Sequence, residues 1–194
     1  MRPLPMLLLL FCALSASAQE IRDIASFDVW KERNTTDVLK FEAYLESLKL
    51  NKVVELHQLL RSASSWKSCK SEPYAIPPEE QWKSVNFVLR LLKELTDKKI
   101  LGPFVIHSAY RGPPLNKCAG GAPRSAHVRS FAVDFLQTSA EDPTAKLCNF
   151  WRKHGRAWNM GFSRYPSGRF HIDTSGYRTW GADHTARSSV CKAA

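Results

Sequence analysis

Residues 125–135 read SAHVRSFAVDF, and they carry the clearest structural signal in the chain. In its second half, large apolar side chains alternate with small or polar ones, at Phe131, Val133 and Phe135. Alternation with a period of two predicts a half-buried β-strand, which places the carboxylate of Asp134 on the face opposite the aromatic rings. His127 lies just before the strand, with six residues between it and Asp134. The stretch therefore predicts a polar site on one face of a sheet.

A second strand is predicted at residues 170–173, which read FHID. His171 lies between two large apolar residues, so its imidazole should also face away from the core. Two imidazoles and one carboxylate form a ligand set that leaves zinc an open position for water. The sequence thus offers His127, Asp134 and His171 as candidate metal ligands. Their spacing alone arises easily by chance, so other residues must support the assignment.

The first hundred residues favour helices. One segment begins near Asn34, a second covers residues 53–60, and a third opens at Pro77 with a buried apolar stripe that continues to Leu95. Further short apolar runs at 104–106 and 160–162 predict more strands, and Pro143 introduces another helix that ends near residue 154. Helices followed by strands predict an α+β fold, with N-terminal helices packed on a small, mostly antiparallel sheet that carries the site.

The N-terminus has the pattern of a secretory signal peptide. Arg2 is followed by an apolar run from Met6 to Leu14, and the small residues of Ala16-Ser17-Ala18 form a cleavage pattern before Gln19. The run is too short to span a bilayer, so residues 1–18 predict a cleaved signal. We therefore expect a mature chain without a transmembrane segment, exported to the periplasm or the extracellular space.

The cysteine count agrees with export. Without Cys12, which lies in the predicted signal, four cysteines remain, Cys69, Cys118, Cys148 and Cys191. An even number in an oxidising compartment predicts two disulfides, and the sequence leaves all three possible pairings open. No pair forms a CxxC motif, which argues against a thiolate zinc site.

Composition excludes several classes of protein. Of the 194 residues, 44% are hydrophobic and 24% are charged, as in ordinary globular domains, so a collagen or a disordered chain is excluded. The formal net charge is +10, but the basic residues are scattered and form no recognition motif. We therefore expect no nucleic-acid partner. The motifs HExxH, GxSxG and GxxxxGK are all missing, which excludes the enzyme classes that they mark.

A resemblance to a known family supports the metal site. Its segments occur in one order: His107 to Arg111, Leu115-Asn116, Gly120 to His127, Ala132 to Asp134, Arg164 to Pro166, and Phe170 to Asp173. Over about residues 66–182 the chain resembles the zinc D-alanyl-D-alanine carboxypeptidases and murein endopeptidases, which share a metal scaffold with the hedgehog signalling domain. The family pattern S-x-H, then D, then a later H matches at Ser125, His127, Asp134 and His171.

The resemblance implies one Zn²⁺ per chain, held by His127, Asp134 and His171. It also implies that Arg111 binds a carbonyl or carboxylate of the substrate, a role that suits a planar and permanently charged guanidinium. Ser125 and His107 are expected to line the same substrate pocket.

The general base departs from the family pattern. Relatives place an acid three residues before the last histidine, or a histidine two residues before it, where this chain has Gly168 and Arg169. Asp173 is the available carboxylate, on the same strand face as His171. It could act as the catalytic base, or it could hold a ligand imidazole in its metal-binding tautomer. Tyr165 and His184 are the alternative candidates for the base.

The expected function is that of an exported zinc peptidase whose partner is a peptidoglycan peptide. Whether it would act as a carboxypeptidase or an endopeptidase stays open, as does the oligomeric state. The alternative is a zinc module without catalysis that binds cell wall or a partner protein. After the signal, we expect a helical part at 19–100, a zinc peptidase core at 101–182 and a tail at 183–194, within one compact domain.

Overall fold

The computed structural model describes residues 6–191, with side chains described from residue 20 onward. Six α-helices and five β-strands lie along this part of the chain. The helices are α1 (Met6–Arg33), α2 (Thr35–Ser47), α3 (Leu56–Leu59), α4 (Trp82–Asp97), α5 (Pro113–Cys118) and α6 (Thr144–His154). The strands are β1 (Phe104–Ser108), β2 (Ala132–Gln137), β3 (Gly161–Arg164), β4 (Phe170–Asp173) and β5 (Arg178–Trp180). Three short 3₁₀ turns cover Glu79–Gln81, Ala126–Arg129 and Ala186–Ser188.

Helix α1 runs through the predicted cleavage site after Ala18. Residues 1–5 of the predicted signal peptide lie outside the described residues, as do the side chains of residues 6–18. The signal peptide and export therefore stay predictions. Among the residues that are described, no helix is both long and apolar enough to cross a bilayer.

Helix α4 packs its apolar stripe against the sheet and against α2. Its fully or almost fully buried residues are Val85, Val88, Leu89, Leu91, Leu92 and Leu95, as the helical period predicts. Trp82 at its first turn lies 5.3 Å from the ring of Phe41 on α2, centroid to centroid. Buried side chains of the helical part and of the sheet join in one core cluster.

The second predicted helix is much shorter than the apolar pattern of residues 53–60 indicates. Within residues 53–60, only α3 is helical. Helix α2 ends just before this segment at a tight turn, in which Lys49 has a left-handed φ of 57° and Leu50 N–H donates to Leu45 O. Val53 and Val54 consequently lie in the irregular connection, where they pack on the core without helical geometry. Asn34 does precede α2, but its side chain donates to Trp30 O instead of capping the helix.

The five strands form one sheet in the order β1-β2-β4-β3-β5, antiparallel except for the β3–β5 pair. This confirms the expected α+β fold with a mostly antiparallel sheet. In the register, Asp134 pairs with His171, and Ala132 pairs with Asp173. The polar face predicted for β2 and β4 is therefore one continuous face, opposite the buried rings of Phe135 and Phe162.

Among the described strands, β5 is the one that the sequence did not predict, and the short helix α5 was not predicted either. Strand β5 has only three residues, too few for an alternation to be recognised, and it pairs in parallel with β3. The pairing sets Arg178 beside Gly161 and Trp180 beside Ser163, on the same face as His171.

Two disulfides are present, as predicted, and the structure gives their pairing. Cys69–Cys118 ties an irregular segment to the end of α5, with Cα atoms 5.8 Å apart. Cys148–Cys191 ties the C-terminal tail to α6, with Cα atoms 5.1 Å apart. The first holds the loop that begins at residue 119, and the second fixes the segment after β5.

Candidate metal centre and its cavity

Three side chains from three elements meet on the polar face of the sheet. His127 lies in the 3₁₀ turn before β2, Asp134 on β2 and His171 on β4. Each offers one ligand atom, and these atoms all lie within 4.8 Å of one another. All three residues are buried. The structure therefore brings together the three residues that the sequence offers as metal ligands.

The imidazole of His127 is fixed by a backbone carbonyl. Its Nδ1 lies 2.6 Å from Ala109 O, which can only accept, so Nδ1 carries the proton and Nε2 is left with its lone pair. Nε2 lies 3.2 Å from Asp134 Oδ2, without the alignment of a hydrogen bond, and has no other polar partner among the described residues. Nε2 of His127 and the carboxylate of Asp134 therefore lie close enough to bind one cation together. A buried imidazole nitrogen with a free lone pair is suited to bind a metal ion.

The imidazole of His171 is fixed by a carboxylate. Its Nε2 donates to Asp173 Oδ2 at 2.9 Å, and its Nδ1 lies 2.8 Å from Asp134 Oδ1. The two oxygens of Asp134 therefore face one imidazole each. With Nε2 protonated, Nδ1 is the nitrogen of His171 that can bind a metal.

Burial and charge set the protonation of the cluster. Burial lowers the pKa of His127, with Asp134 acting in the opposite direction. Burial also lowers the pKa of His171, but the hydrogen bonds to Asp134 and Asp173 outweigh it and raise the pKa to about 9. For Asp134, burial raises the pKa, and the two imidazoles outweigh it and hold the pKa far below its usual range. At neutral pH Asp134 is therefore ionised and His127 neutral, as metal ligands must be, whereas His171 must lose its Nδ1 proton when a metal binds.

The cluster forms part of the wall of a cavity of about 660 Å³. Among the described residues that line the cavity, the arginines are Arg111, Arg124 and Arg178, and the one carboxylate is that of Asp134. Other lining residues are Ala119–Ala122, Ser125–His127, Tyr165, His171, Thr179, Trp180 and His184. A cavity that joins a metal-binding cluster to three guanidinium groups suits a ligand that carries carboxylates.

Arg111 and Ser125 both line this cavity. The Nε atom of Arg111 is buried and has no hydrogen-bond partner among the described residues. Burial lowers the pKa of this guanidinium, and the charge of Asp134 opposes the shift. The Oγ of Ser125 accepts the backbone N–H of His127 at 3.3 Å, so this hydroxyl also holds the turn that presents the ligand.

His107 lies elsewhere. It belongs to β1, at the irregularity in its pairing with β2, and lines a second cavity of about 370 Å³ with Arg61, Trp66 and Tyr74. Burial, together with the positive charges of Arg61 and Arg169, lowers its pKa. The structure therefore does not place His107 with Arg111 and Ser125.

Asp173 is fully buried and does not line the cavity. Its Oδ1 accepts hydrogen bonds from Ser175 N, Ser175 Oγ and Arg178 Nη1, and its Oδ2 accepts from His171 Nε2 and Arg178 Nη2. Burial raises its pKa, but His171 and Arg178 outweigh this and hold the pKa far below its usual range. Such a carboxylate holds its neighbours in place and has no free lone pair aimed at the cavity.

Four further residues of the cavity wall have side chains that can take part in binding or proton transfer. Two of them are Tyr165 and His184, the alternative candidates for the base. The other two are Arg178 and Trp180 of β5. Burial raises the pKa of Tyr165, helped by the charge of Asp134. The sequence carried one usable signal for β5, since Tyr177, Thr179 and Trp180, which follow Ser175-Gly176, are residue types that favour strands.

Comparison with known families shows which family contains this group of residues. The family model for peptidase M15 matches residues 54–173, more than half of the chain, and includes all three candidate ligands. The chain belongs to the peptidase M15 family. No curated protein and no solved structure gives a significant match to it.

Membership in peptidase M15 confirms the resemblance on which the sequence analysis relied. It implies a zinc-dependent peptidase that acts on peptidoglycan-related substrates. The ligand set fits that metal: two imidazole nitrogens and one carboxylate oxygen, with a cavity on the open side, are what a catalytic zinc site needs.

Proposed function

We propose that this M15 chain is an exported zinc peptidase that hydrolyses peptide bonds in peptidoglycan. It would remove the terminal D-Ala of a stem peptide or cut a crosslink between two stems. The observation that carries the proposal is the buried, unpartnered Nε2 of His127, which lies beside Asp134 in the wall of an open cavity.

The metal would be held by His127 Nε2, Asp134 and His171 Nδ1, one ion per chain. The chemistry that zinc supplies in such a site is Lewis acidity, which polarises a scissile carbonyl and acidifies water. The donor set supports zinc, since imidazole and carboxylate ligands of this number leave a coordination position open.

Arg111 would bind the substrate. Its guanidinium lies in the cavity wall, half-buried, with Nε unpaired among the described residues. A planar fork of this kind suits either a terminal carboxylate or the negative charge that develops on the carbonyl oxygen. Arg124 supplies a second cation to the same cavity, so a stem peptide with more than one carboxylate fits its charge. Ser125 lies in the same wall and would also contact the substrate.

Asp173 had two possible roles, and its contacts favour one. A general base must reach the water from which it takes a proton. Asp173 has no exposed surface, and each of its oxygens accepts at least two hydrogen bonds. We infer that Asp173 orients His171 and fixes the tautomer that leaves Nδ1 free for the metal.

Proton transfer then falls to the cavity wall. Tyr165 has a raised pKa, so its phenol stays protonated at neutral pH and can donate a hydrogen bond to a developing oxyanion but cannot accept a proton. His184 lies in the same wall, and histidine is the side chain that most often serves as a general base. We infer that His184 accepts the proton of the attacking water and passes it to the leaving amine.

A zinc module without catalysis is the second candidate. It is favoured by one feature, namely Gly168 and Arg169 at the positions where relatives carry an acid or a histidine. Such a module would keep the metal and the cationic cavity but would bind wall fragments or a partner protein without cutting them.

Digestion of purified sacculi separates these functions. Muropeptides are analysed by mass spectrometry after incubation with the mature zinc-loaded protein and with a His127→Ala control. Free D-Ala indicates a carboxypeptidase, and conversion of crosslinked dimers to monomers indicates an endopeptidase. Stoichiometric zinc without either product would support the binding module and overturn the proposed activity.

Export has its own support and its own test. The two disulfides among Cys69, Cys118, Cys148 and Cys191 suit an oxidising compartment. The intact mass of the protein recovered outside the cytoplasm should equal that of a chain that begins at Gln19. A protein that stays inside the cell with residues 1–18 attached would contradict export.

A further inference from the structure

The side chain of Arg178 contacts both Asp173 and Trp180, and each of these two residues contacts His171. Its Nη2 donates to Asp173 Oδ2 at 2.7 Å, and its Nη1 donates to Asp173 Oδ1 at 3.0 Å. Its guanidinium also lies over the ring of Trp180, 4.9 Å from the centroid. Trp180 in turn meets the ring of His171 nearly edge-on, with centroids 5.1 Å apart. His171 also donates a hydrogen bond to Asp173.

We propose that β5 is a bracing strand and that Arg178 is a positioning residue for the metal centre. Arg178 would act through Asp173, which it holds in the orientation that fixes the imidazole of His171. The proposal rests on the proposed metal site, because its effect is measured on metal binding at His171.

The geometry of the pair supports a positioning role. A bidentate pair between a guanidinium and a carboxylate fixes the plane of the carboxylate as well as its charge. Asp173 has no exposed surface, so its charge needs a close partner, and Arg178 supplies it from the cavity side with its side chain 43% exposed. An exposed pair would contribute little, but here one partner is fully buried.

Trp180 adds a second contact to the imidazole of His171, beside the hydrogen bond to Asp173. Arg178 and Trp180 are two residues apart on β5, so their side chains lie on the same face of the sheet, the polar one, next to β3. The indole limits rotation of the His171 ring, and the guanidinium that lies over the indole limits rotation of Trp180. Two residues of β5 thereby restrain His171, Arg178 through Asp173 and Trp180 through direct ring contact.

Gly161 on β3 leaves the space that this brace occupies. A Cβ atom at position 161 would lie 2.1 Å from Asp173 Oδ2, 2.6 Å from Asp173 Cγ and 2.8 Å from Arg178 Nη1. These distances are too short for non-bonded atoms, so any larger residue would displace the carboxylate or the guanidinium. Position 161 thus allows a test of the brace that changes no charge.

The test is zinc affinity, measured by chelator competition on the full mature protein. Partners that orient a metal-ligating histidine typically contribute about 10–100-fold to metal affinity. Arg178→Met should weaken zinc binding by about that factor. Arg178→Lys keeps the cation but loses the fork, so its loss should be smaller. Gly161→Ala should weaken zinc binding in the same direction.

Arg156→Met is the matched control. Arg156 also lies over an aromatic ring, that of Tyr177 next to β5, at 4.6 Å, but it is not among the residues that bond to Asp173. Its replacement should leave zinc affinity unchanged. In addition, Co²⁺-substituted protein should show an altered d–d spectrum in Arg178→Met and the wild-type spectrum in Arg156→Met.

Several outcomes separate a positioning role from a merely structural one. In a double-mutant cycle, Arg178→Met should add little to the loss caused by Asp173→Asn, because both act on one hydrogen bond. If Arg178→Met or Arg178→Lys lowers only the Tm of the metal-free protein and zinc affinity stays at the wild-type value, the proposal is overturned. Should Arg178→Met not fold, the Lys and Gly161→Ala variants decide.

Failure of the proposed peptidase activity would give a different result from failure of the positioning role of Arg178. A wild-type protein that binds zinc but releases no product from sacculi would contradict the activity and leave the brace standing. A wild-type protein that binds no zinc would overturn both.

Discussion

The turn that carries His127 and the strand that carries His171 hold their imidazoles in different ways. His127 stands in a 3₁₀ turn and donates its Nδ1 proton to the backbone carbonyl of Ala109. His171 stands in a central strand and donates its Nε2 proton to the carboxylate of Asp173. The two residues therefore present different nitrogens to the same carboxylate, that of Asp134.

The difference shows how tautomers can be fixed by two kinds of acceptor. A carbonyl is neutral and belongs to the backbone, so no side-chain substitution removes it. A carboxylate carries charge and increases the basicity of the imidazole, but it needs its own partners, which β5 supplies. We expect the His171 side of the centre to depend on outer residues and the His127 side to depend on local backbone.

Removal of either imidazole should have the largest effect. His127→Ala and His171→Ala each delete one of three ligands, so zinc affinity should fall by more than the roughly 10–100-fold that an outer partner contributes. Hydrolysis of a D-Ala-containing murein peptide should be lost with it. Zinc content after dialysis and kcat are the measurements. Full zinc and full activity in His127→Ala would overturn the assignment of the centre.

Replacement of His184 should slow the reaction without affecting the metal. Proton transfer by a positioned side chain contributes about 10²–10⁴-fold, so His184→Asn should lower kcat by that order with unchanged zinc content. His154→Asn is the control, because His154 is exposed at the end of α6 and does not line the cavity. An unchanged kcat in His184→Asn would exclude this imidazole from proton transfer.

Asp173→Asn should have a smaller effect, and on a different quantity. If Asp173 orients His171, zinc affinity should fall about 10–100-fold. kcat of the zinc-saturated variant should stay within about tenfold of the wild-type value. If Asp173 were the general base, zinc would stay bound and kcat would fall by about 10²–10⁴-fold. Isothermal titration with zinc and kcat at saturating zinc distinguish the two roles.

Much of the centre follows from periodicity. Alternation in β2 and β4 was enough to place Asp134 and His171 on one face, and the pairing of these two residues confirms it. His127 was singled out by its residue type and its spacing to Asp134, but only the family pattern supported it, since a turn has no period from which the direction of its side chain could be inferred. Strand β5 was not predicted, because three residues are too few to show a period. Its parallel pairing also depends on contacts between residues far apart in sequence.

Other features depend on tertiary structure that the sequence does not encode locally. The second helix was predicted too long because an apolar run near Val53 packs equally well in an irregular connection. The pairing of Cys69 with Cys118 could not be chosen among three alternatives. His107 is close to Arg111 in sequence, yet the irregular pairing of β1 turns it toward another cavity.

The smallest expected effect concerns the turn on the His127 side. The Oγ of Ser125 accepts the backbone N–H of His127, which holds the first residues of the 3₁₀ turn. β4 needs no such bond, because it pairs with a strand on each side. Ser125→Ala should therefore lower the free energy of unfolding by about 0.5–1.5 kcal/mol, the net contribution of one hydrogen bond. Zinc affinity should change by less than it does in Asp173→Asn, because the bond between His127 Nδ1 and Ala109 O stays in place.

Urea unfolding of the metal-free protein measures the first effect, and chelator competition measures the second. Ser130→Ala serves as the matched control in the same turn. Ser130 follows the turn with a left-handed φ of 60°, and its hydroxyl donates to Gln81 and not to the His127 backbone. If Ser125→Ala weakened zinc binding as much as Asp173→Asn does, the His127 side would depend on a side chain after all. The contrast between a backbone-held and a carboxylate-held imidazole would then be wrong.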